Sequence, residues 1–145
     1  QVYLAHAPEF YKKGELYSYT ISILKKILKI VIIPFLLLAI SSPYIFTFIF
    51  GKEWSGLGNY ILIMIPWYFM QILSSPISMA LHIIGKQKIA LVLQVFGFLL
   101  RVVVLWWLLI FESEFAVNYY MFSGFLFYFA YILIILLSIK QKNTE

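Results

Sequence analysis

"LQVFGFLLRVVVLWWLL", residues 93–109, decides how the chain is read. A single charge, Arg101, stands in a run that is otherwise fit for lipid. The run belongs to a longer apolar segment, 89–111, which as a helix spans the roughly 30 Å of a bilayer's hydrocarbon. Three further segments share this character: 30–50, 60–84 and 117–139. Each is about twice the length of a membrane-barrel strand and lacks the strict in–out alternation of one. The expected fold class is all-α: a polytopic membrane protein with four transmembrane helices.

Composition agrees. Of 145 residues, 63% are hydrophobic and 12% charged, where a soluble domain carries roughly 25% charged residues. A soluble fold of this chain would lack the surface charge that keeps a domain dissolved. There is no cysteine, so neither a disulfide framework nor a thiolate metal site is open to it. The chain begins at Gln1 with no signal-peptide pattern, and we expect it to be part of a longer protein.

The net charge of +5 is organised along the chain. Lys12, Lys13, Lys25, Lys26 and Lys29 precede the first span, Lys86 and Lys88 separate the second from the third, and Lys140 and Lys142 follow the fourth. The two remaining loops hold only Lys52 among basic residues, with Glu53, Glu112 and Glu114. Basic loops stay in the cytoplasm, so both termini are expected there. The basic balance is a topology signal, and no nucleic-acid partner is expected. Residues 1–29 form a cytoplasmic lead-in, with a break at Gly14, and 140–145 a cytoplasmic tail. After Gly14, Ser18, Ser22, Lys25 and Lys29 recur on one helical face and Tyr17, Ile21, Leu24 and Leu28 on another, the pattern of an amphipathic helix. It anchors orientation or meets lipid headgroups.

Polar residues inside the spans are costly unless they face protein or a watery cavity. Gln71, Ser75, Ser78 and His82 in the second span are spaced 4, 3 and 4, hence on one face, in a helix that Pro66 and Pro76 deprive of two backbone donors. Gln94 and Arg101 in the third span share a face with Ala90 and Gly97, small residues that admit a close neighbour. A mid-membrane arginine costs about 2.5–3.5 kcal/mol on insertion scales. Arg101 either lines a cavity with Gln94 or snorkels toward Trp106 and Trp107. The substrate-cavity candidates are Arg101, Gln94, Gln71, Ser75 and Ser78; the serines and Gln71 also suit ordinary helix packing. In the fourth span Tyr120 reads as an interfacial anchor, and Gly124, Tyr128 and Tyr131 as packing.

No Asp or Glu lies inside a span, so the chain offers no carboxylate for proton or sodium coupling. His6 and His82 stand on separate elements. No phosphate loop, metalloprotease motif or catalytic triad is present, which leaves catalysis unsupported and implies neither a cofactor nor a metal.

The stretch "IFGKEWSGLGNYILIMIPWYFMQILSSPISMAL", with Phe50, Gly51 and Trp54 in its turn, then Gly58, Tyr60 and Pro66, resembles the C-terminal half of the Wzx-type polysaccharide flippases of the MATE-like superfamily. "VYLAHAPEFYKKGEL" and "GKQKIALVLQ" resemble the cytoplasmic segments of those proteins. The resemblance implies two six-helix bundles around a central cavity, of which this chain supplies the last four helices. It also implies transport, without catalysis, of undecaprenyl-pyrophosphate-linked oligosaccharide repeat units across the bacterial plasma membrane. The partners implied are that lipid-linked oligosaccharide, membrane lipids and the missing N-terminal helices. Arg101 is the intramembrane cation that suits a pyrophosphate. A multidrug or metabolite antiporter of the same superfamily, a complete small four-helix scaffold and a membrane glycosyltransferase are the competing readings.

Overall fold

The computed structural model describes residues 2–110 and 116–142, and every element among them is helical. Phe111, Glu112, Glu114 and the tail from 143 onward lie outside the described residues. Helix α1 (Val2–Lys12) is followed by α2 (Leu16–Phe50), a 3-10 turn at Lys52–Trp54, α3 (Leu57–Ile77), a single turn α4 (Ala80–Ile83), α5 (Gln87–Ile110) and α6 (Ala116–Lys142). Three stretches are long and apolar enough to cross a membrane: Lys52–Ile83, Gln87–Ile110 and Ala116–Lys142.

The breaks have local causes. Gly14 and Gly85 adopt φ of 75° and 76°, the left-handed conformation that ends a helix without a Cβ penalty. Each is followed by an amide that reaches back to an orphan carbonyl: Glu15 N–H to Phe10 at 2.9 Å and Lys86 N–H to Leu81 at 2.8 Å. That is the Schellman closure. Between Gly14 and Gly51 nothing stops propagation. Pro34 and Pro43 are accommodated within the 35 residues of α2, which at 1.5 Å per residue runs about 52 Å. The amphipathic helix that follows Gly14 therefore runs without a break into the first expected span. In the second expected span, 60–84, regular helix ends at Ile77, just past Pro76, and resumes as α4.

Helices α3 and α6 form the central pair, with α2 laid against α3 and α5 against α6. The buried core gathers at one end, where Tyr3 and Ala7 of α1 meet Leu16, Ile77, Leu81, Ile135 and Ile139. The Tyr3 hydroxyl lies 2.8 Å from Thr20 Oγ1, which itself donates to the Leu16 carbonyl at 2.7 Å. Burial pushes the Tyr3 phenol above its ordinary pKa, so it stays a neutral partner to Thr20. This contact turns α2 so that Leu16, Thr20, Ile23, Leu24 and Ile27 face inward. Of the expected apolar face, Leu24 packs but Tyr17 and Leu28 are exposed. The Lys86 ammonium donates to Gln141 Oε1 at 3.1 Å, which sets the α4–α5 turn beside the end of α6.

Away from this end the helices leave wide apolar faces open, including Ile33, Leu37, Phe48, Val103, Trp106 and Phe122. The chain exposes 9876 Å², against roughly 7,700 Å² for a soluble monomer of its mass. Hydrocarbon, or further helices, is the medium such faces require.

The α2–α3 crossing depends on Gly58, where a Cβ would run into the Ser42 carbonyl and come within 2.6 Å of Pro43 Cα. Those are backbone atoms and cannot rotate away. Gly58→Ala is expected to lose about 1–3 kcal/mol, whereas Gly56→Ala, with open space around its Cβ position, should leave thermal unfolding in detergent unchanged.

Candidate substrate cavity

The five candidate residues come from two helices that α6 holds apart. Gln71 and Ser75 of α3, Ser78 directly after its end, and Gln94 and Arg101 of α5 line one cavity of about 370 Å³. Its floor is Phe127, Tyr128 and Tyr131 of α6, and Ser74, Gly97 and Phe98 complete the lining. A volume of this order suits a small ligand or one end of a larger one. His82 lies outside this lining and is exposed.

Small residues set the spacing of the helices. Gly124 lets α6 approach α3 so closely that a Cβ there would lie 2.7–2.8 Å from the Trp67 indole. Gly97 does the same for α5, where a Cβ would strike the Phe127 ring. Ala90, one helical face with Gly97 and Arg101, is buried in the core.

Arg101 turns inward. One guanidinium nitrogen donates to the Tyr128 hydroxyl at 2.9 Å. Its carbon lies 5.1 Å from the Trp67 ring centre, 5.3 Å from that of Tyr128 and 6.0 Å from that of Phe127. Each desolvated cation–π contact is worth about 0.5–2 kcal/mol, and a hydrogen bond from a charged donor about 1.5–3 kcal/mol. Together they are of the size needed to offset the insertion cost of a mid-membrane arginine. Snorkelling toward Trp106 and Trp107 is thus replaced by an aromatic cage. Trp67 is the fixed wall of that cage. It is buried, seated on Gly124, stacked on Tyr68 at 5.2 Å and met edge-on by Tyr120 at 5.5 Å. Tyr120, expected at the interface, is part of this support.

The cage leaves polar capacity unspent. Arg101 Nε, Trp67 Nε1 and Gln71 Oε1 are buried without a hydrogen-bond partner, an unusual state for buried polar atoms. Two are donors and one an acceptor. Trp67 and Gln71 are one helical turn apart on α3, so all three belong to the same neighbourhood. Ser74 and Ser78 donate to the Gln71 and Ser75 carbonyls at 2.9 and 2.8 Å, which leaves their oxygens as acceptors on the cavity wall. A cation with no carboxylate beside it among the described residues, and with spare donors on Arg101 Nε and Trp67 Nε1, is an arrangement that favours an anionic oxygen.

Trp67, Phe127, Ser74 and Tyr128 were not singled out for the cavity by sequence. Tyr128 carried a usable signal: a hydroxyl on a lipid-buried face, spaced with Gly124 and Tyr131, needs a donor or acceptor from another helix. Trp67 carried none, because nothing in α3 alone shows that Gly124 will receive it.

Comparison with protein-family models, with curated proteins and with solved structures finds no match to this chain.

Trp67→Ala is expected to lower stability in detergent by about 3–5 kcal/mol. Arg101→Met, which replaces an incompletely paired buried charge with an apolar side chain, should leave stability unchanged or raise it by up to about 1–4 kcal/mol. Thermal unfolding of the two variants separates a residue that holds the fold from one that the fold holds.

Proposed function

We propose that this chain is the C-terminal part of a bacterial plasma-membrane transporter that moves undecaprenyl-pyrophosphate-linked oligosaccharide repeat units between leaflets. The observation that carries the reading is the caged Arg101, a membrane-depth cation with no acid partner among the described residues and with unfilled donors at its side. The resemblance of the Gly51–Trp54 turn and of the second span to the Wzx-type flippases supports the cargo class. Four spans follow if 30–50 of α2 crosses as well. The open apolar side chains along it, Ile33, Leu36, Leu37 and Ile40 among them, support that crossing. Both termini then lie in the cytoplasm with nine of the eleven basic residues.

In this reading Arg101 meets pyrophosphate oxygens, for which a planar guanidinium is well shaped. Gln71, Gln94 and Ser75 carry donors for the remaining phosphate oxygens, and the Ser78 oxygen, its proton given to the Ser75 carbonyl, accepts from a hydroxyl of the first sugar. The other wall of the cavity comes from helices supplied by the rest of the protein. No bond is made or broken. The chemistry is recognition of an anion at membrane depth, followed by its release on the other side.

Complementation of a deletion strain by the full-length protein tests this. Arg101→Ala should reduce surface glycan by roughly 10–100-fold, the worth of a charged hydrogen bond, with lipid-linked repeat units accumulating, and Arg101→Lys should retain part of the export. Normal export by a correctly inserted Ala variant would contradict the reading. Topology is testable separately, because the chain has no cysteine of its own. A cysteine at Ser55 should react with a membrane-impermeant maleimide from outside the cell, and one at Gln87 only after permeabilisation.

A further inference from the structure

The N-terminal half of α2 carries three lysines whose placement serves neither the core nor the cavity. Lys25, Lys26 and Lys29 are all exposed, and none makes an ion pair or hydrogen bond among the described residues. At 100° per residue they fall within about a third of the helix circumference. The inward residues Leu16, Thr20, Ile23 and Ile27 occupy the opposite side. The lysines are therefore presented together, away from the bundle.

Their depth is set by helix length. With the apolar stretch of α2 starting at Ile30, Lys29, Lys26 and Lys25 stand roughly 1.5, 6 and 7.5 Å beyond the hydrocarbon along the axis. The headgroup layer of one leaflet is about 5–7 Å thick. All three ammonium groups thus sit at or near the level of lipid phosphates. The concavity beside Lys25, lined by Tyr17, Ser18, Ile21 and Ser22, reaches on the same scale roughly 12–20 Å beyond the hydrocarbon, outside that layer, so the three ammonium groups alone define the site.

We infer that Lys25, Lys26 and Lys29 form a binding site for the phosphate of an anionic phospholipid. The site rests on the crossing of the membrane by 30–50, not on the identity of any cargo. Its occupant is a resident lipid, distinct from whatever enters the Arg101 cavity. A basic residue at an anionic membrane surface contributes about fivefold in affinity, so three acting together give on the order of 100-fold.

Native mass spectrometry of the purified full chain in detergent reads bound lipid directly. Phosphatidylglycerol should be retained, and phosphatidylcholine and glycerol 3-phosphate should not. Changing all three lysines to Gln should weaken phosphatidylglycerol retention by on the order of 100-fold, changing them to Arg should preserve it, and Lys52→Gln in the opposite loop should leave it unchanged. Undiminished retention by the triple Gln variant would overturn the inference, as would equal retention of glycerol 3-phosphate, which would make the site one for free phosphate esters. A cysteine placed at Ser55, in the exposed turn after α2, reports whether α2 crosses. If it is unreachable from outside, both the fourth span and this site fall. If it is reachable while the triple variant still retains lipid, the lipid site alone is wrong.

Discussion

A guanidinium at membrane depth must be held by something, and in this chain it is held by aromatic rings. Arg101 rests against Trp67, Tyr128 and Phe127, contributed by the two helices α3 and α6, and donates to one hydroxyl. The cage exists only because Gly124 lets the Trp67 indole lie against the α6 backbone and Gly97 lets Phe127 lie against α5. Helix spacing, cage and cation are thus one construction. A carboxylate in place of the rings would pair the charge and silence it. Rings stabilise the charge while leaving guanidinium hydrogens free for another acceptor.

The two ends of the bundle differ in kind. Where α1, α4 and the end of α6 meet, aliphatic side chains fill a core and the Tyr3–Thr20 hydrogen bond fastens α1 to α2. Toward the middle, contact is made by glycine against backbone or ring, and the space between α3 and α5 is left as a cavity. A closed end and an open middle provide a fixed frame around a site that other helices can complete. The buried polar atoms without partners lie in the open part, where strain of this kind is expected to serve function.

Much of this was legible in the sequence, for a physical reason. A bilayer imposes one solvent on each span, so every polar residue in it stands out, and helical spacing then sorts such residues onto faces. Gln71, Ser75, Ser78, Gln94 and Arg101 were picked out in that way, and they line one cavity. What could not be read is which helix receives which face. The role of Trp67 depends on Gly124, 57 positions away, and periodicity within a helix carries no information about its partner. The face of α2 was misread for the same reason. Tyr17 and Ile21 look as apolar as Leu16 and Ile23, and only the docking of α1 through Thr20 decides between them.

The central claim is that Arg101 is stored against Trp67 and is available to a pyrophosphate. Fluorescence of Trp67 as the sole tryptophan, with Trp54, Trp106, Trp107 and any tryptophan of the remaining helices changed to Phe, tests it most directly, because a guanidinium leaving the ring alters the indole's emission. The account predicts a saturable change on addition of an isoprenyl pyrophosphate to the full-length protein, little change with the matching isoprenyl alcohol, and loss of the response in Arg101→Met. An equal response to pyrophosphate and alcohol, or one that survives removal of Arg101, would contradict it.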